Sequence, residues 1–388
     1  MYHHIMKKYI LFVVLLLITI IQPLFIIWQQ RDEYFGRGYA DHFEEFKSGY
    51  YSSQYATDTF TTIITDEYLE SFAAGAFLQG INPILIHHDQ PPLGRYIIAL
   101  SILVFDNQKT IPFLLLLVSA LGIYLVSLQI LKNRFLALIP FGLFINQLMF
   151  LHKFTFIPLL EPIQFPFILF ALFMFICGVQ KKNYLPWFLL TALLIGCIVS
   201  IRYFVLGGAL VLALSLFLLF EKQIKQGIVF LGTLCIALFV LLASYFKTFI
   251  DGYSLIQVLG IQKYIFVYHK SAFAEPFSYW DLLLFNRWHT WWGDRAITSD
   301  AEWSILWPIS VGIIILFVGF TLWKNITLSK GEWVLIFWIS IYSMMLSFGY
   351  TSTRYFLPLI PFLYILATSF VVRIVRIYIR QMRLQKEH

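Results

Sequence analysis

Long runs of apolar residues, separated by short basic connectors, constrain this sequence more than any other feature. A helix needs about 20 apolar residues to cross a hydrocarbon core of about 30 Å. Runs of roughly this length lie near residues 9–28, 111–131, 135–151, 161–180, 184–201, 203–220, 226–246, 303–323, 333–349 and 355–372. The sequence therefore predicts an all-α polytopic membrane protein with about ten transmembrane helices, within a range of about nine to twelve.

The composition agrees with a chain dissolved mainly in lipid. Hydrophobic residues make up 60% and charged residues 13%, whereas soluble domains carry about 25% charged residues. The net charge of +7 comes from scattered loop pairs and a basic tail, which orient a membrane protein, so we do not expect a nucleic-acid partner. Cys177, Cys197 and Cys235 lie inside apolar runs without the spacing of a disulfide framework or zinc site.

The basic connectors can all face the cytoplasm under one condition. The helix from Leu93 to Phe105 must not cross, because about 13 residues rise only about 20 Å. It is then an extracytoplasmic juxtamembrane helix, and both termini are cytoplasmic. We expect one integral domain over residues 1–388 in the cell membrane, with large extracytoplasmic loops at 29–110 and 247–302.

The first loop carries the acidic pair Asp66–Glu67 just before an amphipathic stretch. Helix capping is the structural interpretation, since Thr65 or Asp66 can occupy the cap. The functional interpretation is a general base at the lipid–water boundary, where partial loss of water raises the basicity of a carboxylate.

A rigid turn follows in the same loop, over residues 89–95, which read DQPPLGR. Two prolines and a glycine would hold His87, His88, Asp89 and Arg95 in a fixed relation to the acidic pair. Two adjacent histidines rarely bind one ion together and no further ligand is evident, so we predict no cofactor. A divalent metal has no other support, and either hydrogen bonding to a substrate or simple placement at the interface is favoured for these histidines.

Isolated cations lie at predicted outer ends of helices. Arg202 and Arg354 can snorkel at the interface, but arginine is also the preferred clamp for a phosphate. Lys153 and Glu161 form a similar basic–acidic pair near another outer junction. Trp288 and His289, with residues 291–295, belong to an aromatic segment that suits either sugar stacking or membrane anchoring.

Several of these motifs resemble the GT-C superfamily of polytopic glycosyltransferases, near the protein O-mannosyltransferase and aminoarabinose-transferase branch. Asp66–Glu67, Gly80, Pro83 and the Pro-Pro-Leu-Gly-Arg stretch at 91–95 follow the order of that family. Arg354 begins Arg-Tyr-Phe-Leu-Pro, which looks like its late motif.

The resemblance has two departures. Arg95 stands where the family has lysine, and about 35 residues separate the first apolar run from Asp66, where the family has few. Asp32–Glu33 occupies the nearer position and is the alternative acidic pair. We prefer Asp66 because its distance to the Pro-Pro turn fits the family better.

This resemblance implies transfer of a sugar from a polyprenyl-phosphate-linked donor to an extracytoplasmic acceptor, which can be a protein, lipid or polysaccharide. Asp66 would be the base with Glu67 beside it, and Arg202, Arg354 and Lys153 would bind the donor phosphate. The substrate-binding candidates are His87, His88, Asp89, Arg95, Glu161, Trp288 and His289. A transporter or flippase, and an oligosaccharide ligase or polymerase with a lipid-diphosphate donor, are the alternatives.

Overall fold

The computed structural model of the protein describes residues 2–271, 275–290, 296–349 and 351–386. Within these ranges the chain is built from α-helices, with two short 3₁₀ helices at Pro83–Leu85 and Thr353–Phe356. One two-stranded antiparallel ribbon pairs β1 (Trp288–His289) with β2 (Ile297–Thr298). The all-α fold predicted from the sequence is confirmed.

The helices are numbered in chain order. They are α1 (Tyr2–Gln29), α2 (Arg31–Phe35), α3 (Tyr39–Tyr51), α4 (Asp66–Leu78), α5 (Leu93–Phe105), α6 (Thr110–Leu131), α7 (Arg134–Ile145), α8 (Leu148–Thr155), α9 (Leu160–Gly178), α10 (Leu185–Ile201), α11 (Val205–Phe220), α12 (Ile224–Thr233), α13 (Cys235–Ser244), α14 (Phe246–Ile250), α15 (Leu255–Ser271), α16 (Ser278–Phe285), α17 (Leu306–Lys324), α18 (Lys330–Leu346) and α19 (Ile360–Lys386).

Each predicted apolar run lies largely in helix, and the protein is a multi-pass membrane protein. In the described part of the chain, five helical segments are long and apolar enough to cross by themselves: Met6–Gln29, Thr110–Leu131, Leu160–Gly178, Ile224–Ser244 and Ile360–Ile379. The bent pair α7–α8 makes a sixth if it counts as one span. Helices α5, α10, α11 and α17 are apolar but shorter, so the count of about ten crossings stays a prediction.

The apolar run at 135–151 is broken rather than continuous. Helix α7 ends before Asn146 and α8 continues at an angle of 60°. Polar partners stabilise the break, because Gln147 Oε1 accepts a hydrogen bond from Trp307 Nε1 at 3.1 Å and its amide nitrogen donates to the Tyr364 hydroxyl. A buried amide satisfied in this way can remain at membrane depth, where an unpaired one would be costly.

The described chain divides into two compact units. Unit 1 comprises Met1–Leu24, Ala120–Leu151 and Ala274–His388, and unit 2 comprises Phe25–Ser119 and His152–Phe273. In unit 1, α19 packs against α17 and α7, with Trp307 and Trp338 fully buried.

Unit 2 contains a helical bundle in which α10 packs most extensively against α9 and α13. The contact with α13 needs a glycine, because a Cβ on Gly196 would lie 2.8 Å from Val240 Cβ and 2.9 Å from Ala237 Cα. Small residues allow backbones to approach in this way where helix packing must replace the hydrophobic effect.

The helices of the first large loop pack onto this bundle through α5. The predicted helix from Leu93 to Phe105 is present with those bounds. A Cβ on Gly94 would lie 2.6 Å from Leu160 Cδ2 and 3.0 Å from Ile201 Cγ2, so α5 approaches the start of α9 and the end of α10 closely. Helix α4 packs on α5, and α3 packs on α4. The residues that precede α5 are thereby fixed beside the end of α10.

Candidate functional site

Asp66 is the first residue of α4 and is half-buried. The Tyr55 hydroxyl donates a 2.7 Å hydrogen bond to Asp66 Oδ1. Burial, and after it the neighbouring Asp66 carboxylate, raises the pKa of Tyr55, so this phenol stays protonated as a donor. Thr65 makes no side-chain capping bond at this helix start. The structure therefore holds one oxygen of Asp66 in a defined orientation.

A buried ion pair lies one helical turn along α4. Arg95 Nε is 2.7 Å from Glu70 Oε2 and Arg95 Nη2 is 3.2 Å from Glu70 Oε1, which is a two-point contact. The two side chains are only 1% and 6% exposed. Burial alone would lower the pKa of Arg95, but the Glu70 carboxylate raises it above its usual value. Burial raises the pKa of Glu70, and the Arg95 guanidinium opposes that rise. Removing either partner of such a buried pair would be costly.

Arg95 also braces the turn that precedes the two prolines. Its Nη1 donates to the backbone oxygens of His87 at 2.8 Å and Ile86 at 3.3 Å. His87 has a positive φ of 37°, a conformation that a non-glycine residue adopts only where contacts hold it. Arg95 was predicted as a substrate contact, whereas the structure places it as an internal support of this turn.

His87 and Asp89 meet next to Tyr55. His87 Nε2 is 3.2 Å from Asp89 Oδ1, and the His87 ring centroid is 4.7 Å from that of Tyr55. Arg95 Nη2 is 3.6 Å from the same oxygen. Neither contact has the geometry of a hydrogen bond. Asp89 Oδ1 is buried and accepts no hydrogen bond from the described residues. Burial lowers the pKa of His87, which Asp89 partly opposes, so the imidazole is neutral near pH 7.

Gln90 connects this turn to the end of α10. Its Oε1 accepts a hydrogen bond from Tyr203 N at 2.9 Å, and its Nε2 lies 3.1 Å from His269 Nε2. Arg202, the residue after α10, has Nη1 3.1 Å from Glu161 Oε1 and is 19% exposed. Unit 2 therefore brings together, at one set of helix ends, the predicted residues Asp66, His87, Asp89, Arg95, Glu161 and Arg202.

Other predicted residues of unit 2 have different surroundings. Glu67 is half-buried in the first turn of α4, His88 lies 4.7 Å from the Tyr264 ring, and Lys153 is buried on α8. Asp32 is 88% exposed beside Arg31. Glu33, 52% exposed, lies 2.6 Å from Lys109 Nζ.

Three predicted residues belong to unit 1. Arg354 lies in the 3₁₀ turn at Thr353–Phe356, with its guanidinium 5.2 Å from the Tyr355 ring centroid. Trp288 Nε1 donates to Thr351 O at 2.7 Å. His289 Nε2 is 2.9 Å from Asp281 Oδ2. Residues 291–295 of the same aromatic segment lie outside the described residues.

The part of the chain that the structure describes contains no set of side chains arranged to bind a metal ion. No group of three or more His, Cys, Asp or Glu side chains there is arranged to hold an ion. Around Asp66 the structure places the imidazole of His87, the carboxylates of Asp89 and Glu70, and the guanidinium of Arg95.

Four contributors to this site were not predicted from the sequence: Tyr55, Glu70, Gln90 and His269. Glu70 had a signal, because it follows Asp66 by four residues on a helix. It also lies in an apolar stretch with Leu69 and Phe72, which predicts a buried carboxylate in need of a cation. Tyr55 and His269 had no such signal in the sequence. Tyr55 reaches Asp66 across an irregular loop, and His269 contacts Asp89, which is far away along the chain.

The architecture has parallels among solved structures. ArnT from Cupriavidus metallidurans in the apo state superposes with a TM-score of 0.58 and 13% identity over 79% of this chain and 54% of that chain. The same protein bound to undecaprenyl phosphate gives a TM-score of 0.54 and 14% identity, over 79% of this chain and 55% of that chain. The chain thus spans about half the length of these structures.

No protein-family model and no curated protein matches the sequence. The structural likeness, at this low identity, is a likeness of fold. The chain has the GT-C-like fold that the sequence motifs predict.

Proposed function

We propose that this protein is a membrane glycosyltransferase that moves a sugar from a polyprenyl-phosphate-linked donor to a hydroxyl group of an extracytoplasmic acceptor. The observation that carries the proposal is the half-buried Asp66 carboxylate, oriented by Tyr55 beside the His87–Asp89 contact. The fold supports it, and so does the binding of undecaprenyl phosphate by the structurally similar ArnT.

In this proposal Asp66 is the general base. Its carboxylate accepts the proton of the acceptor hydroxyl while the acceptor oxygen forms a bond to the anomeric carbon. The bond from that carbon to the phosphate oxygen breaks, and the polyprenyl phosphate leaves with the electron pair. A phosphate leaves without protonation, so one base and nearby cations are sufficient.

Arg202 is the proposed ligand of the donor phosphate in unit 2. Arginine donates in a planar fork that matches phosphate oxygens, and Arg202 keeps part of its surface exposed beside Glu161. Lys153 and Arg354 stay candidates for the same role. Arg95 is proposed to position the turn. The substrate-binding candidates stay His87, His88, Asp89, Glu161, Trp288 and His289.

The test uses purified protein with a lipid extract or membranes as the acceptor source. A labelled sugar is supplied on a polyprenyl monophosphate or on a polyprenyl diphosphate, and product and released lipid are measured. Transfer from the monophosphate alone is the expected result. Transfer from the diphosphate alone would favour an oligosaccharide ligase or polymerase.

A transport assay separates the remaining alternative. Proteoliposomes containing the protein should not move a labelled lipid-linked sugar across the bilayer faster than empty liposomes do. Movement without any product would contradict the proposal and favour a flippase, for which ionisable groups near mid-membrane are expected.

A further inference from the structure

Helix α15 presents two tyrosine rings one turn apart. Tyr264 and Tyr268 stack with centroids 6.0 Å apart and planes inclined by 22°. They are 47% and 41% exposed. A spacing of four residues puts both side chains on one face of the helix. Two large rings are thus paired and still half accessible.

These rings continue a row of rings that leads to Asp66. Tyr264 lies 4.7 Å from the His88 ring, and Tyr268 lies 6.4 Å from the His87 ring. His87 in turn lies 4.7 Å from Tyr55, whose hydroxyl binds Asp66. All of these residues belong to unit 2.

Polar groups accompany this row. Asp89 Oδ1 is buried and accepts no hydrogen bond from the described residues, although it lies 3.2 Å from His87 Nε2. Burial raises the pKa of Tyr268, and the charge of Asp89 raises it further, which agrees with a carboxylate near this ring. A buried acceptor without a donor is costly unless a ligand supplies one.

A pyranose ring has the complementary chemistry. Its C–H faces pack on the faces of aromatic rings, and its hydroxyl groups donate to carboxylates and bond to imidazoles. Tyrosines that only anchor a protein at the membrane interface need no histidines beside them and no buried carboxylate oxygen that accepts no hydrogen bond.

We propose that Tyr264, Tyr268 and His88 form a platform that binds a pyranose ring next to Asp66, with Asp89 accepting a hydroxyl hydrogen bond. The ring can belong to the donor sugar or to a saccharide acceptor, which share this chemistry. The inference rests on the proposed function for the role of the bound sugar, whereas binding itself is measurable without transfer.

The experiment compares two double variants of the full-length protein in detergent. Tyr264→Phe/Tyr268→Phe keeps both rings, and Tyr264→Leu/Tyr268→Leu keeps apolar bulk without them. Tyr378→Leu is the matched control, since Tyr378 is 59% exposed on α19. The probes are methyl pyranosides, which resemble an acceptor, and a short-chain polyprenyl-phosphate hexose, which resembles a donor. Saturation-transfer NMR reports contact with the C–H protons of the sugar ring.

The platform predicts saturation of sugar ring protons in the wild type, in the phenylalanine variant and in Tyr378→Leu. In the leucine variant it predicts at least a fivefold loss of this saturation signal. The loss affects the methyl pyranosides if the platform binds an acceptor sugar, and the polyprenyl-phosphate hexose if it binds the donor sugar. Wild-type contact with none of the probes, or an unchanged signal in the leucine variant, would overturn the platform.

The Asp66→Asn variant separates this inference from the proposed function. It should keep the sugar signal while losing transfer. A protein that binds the sugars through these tyrosines but transfers none would keep the platform and end the transferase proposal. If transfer depends on Asp66 but the leucine variant still binds sugar, the transferase proposal is kept and the platform is ruled out.

Discussion

Two acidic pairs in the same loop have the same local structure and different surroundings. Asp32–Glu33 and Asp66–Glu67 each lie in the first turn of a helix. Asp32 is 88% exposed, and Glu33 is 52% exposed with a lysine partner. Asp66 is half-buried, accepts a hydrogen bond from Tyr55 and neighbours the buried Glu70–Arg95 pair.

The difference shows that a place in the first turn of a helix does not decide how far a carboxylate is shielded or which hydrogen bonds it accepts. An acid in a first turn gains a few tenths of a kcal/mol from the helix dipole, roughly the same in both places. What distinguishes Asp66 is the removal of water and the fixed phenol beside it, both of which depend on residues distant along the chain. This favours Asp66 over Asp32 as the base.

The largest effect is expected on catalysis. Asp66→Asn should lower the transfer rate by about 10²- to 10⁴-fold, the usual contribution of a general base, because an amide cannot accept the proton. Asp32→Asn should stay within about twofold of the wild type, since an exposed group loses only surface charge. Initial rates of sugar transfer at saturating donor measure both.

Equal unfolding midpoints for these two variants would show that the loss is chemical rather than structural. A severe loss in Asp32→Asn together with an active Asp66→Asn would reverse the assignment of the base.

The next largest effect concerns stability. Arg95→Met leaves the Glu70 carboxylate buried without its cation, which should cost about 3–5 kcal/mol. Lys109→Met at the exposed Glu33 pair should cost no more than about 1 kcal/mol. Thermal unfolding in detergent should therefore show a much lower midpoint for Arg95→Met.

The double variant Glu70→Leu/Arg95→Met should recover much of that loss, because an apolar pair replaces a charge left alone. Similar midpoints for Arg95→Met and Lys109→Met would contradict the structural role of Arg95.

Tyr55→Phe tests the phenol that distinguishes Asp66 from Asp32. Hydrogen bonds to charged groups are worth about 1.5–3 kcal/mol, so the loss of orientation should lower kcat about tenfold or more. The ring contact with His87 is kept, so the donor KM should stay within about twofold. A change in KM with kcat preserved would indicate a binding role for Tyr55 instead.

The smallest expected effect is on pH dependence. Burial, partly opposed by Asp89, lowers the pKa of His87, with His88, Arg95 and Asp66 also nearby. The folded protein resists a proton that the unfolded chain accepts near pH 6.5, so stability falls as the pH falls below that value. Unfolding midpoints at about pH 7.5 and about pH 5.5 should differ less in His87→Gln than in the wild type.

The pH difference should not vanish in His87→Gln, because burial also lowers the pKa of His269. An unchanged pH difference in His87→Gln would show that folding does not lower the pKa of His87.

Local patterns were sufficient for the helices but not for their contacts. The bounds of α5 followed from a Pro-Pro start and an apolar stretch, and Gly94 predicted a close approach. The run at 135–151 is bent by 60° between α7 and α8, where Asn146 and Gln147 bond to groups far along the chain, so its status as one span stays a prediction. Arg95 was predicted to bind substrate, and its buried contact with Glu70 was not anticipated, because nothing in its own segment indicates Glu70.

The sequence by itself determined that this protein is helical and lies in a membrane, because hydropathy and helix periodicity are local properties that each segment carries alone. It also determined where acids and cations stand along the chain. Only the tertiary structure decided which carboxylate is oriented and partly shielded from water. That distinction arises when Tyr55, His87 and the Glu70–Arg95 pair assemble around Asp66, and such assembly depends on packing between segments far apart in sequence.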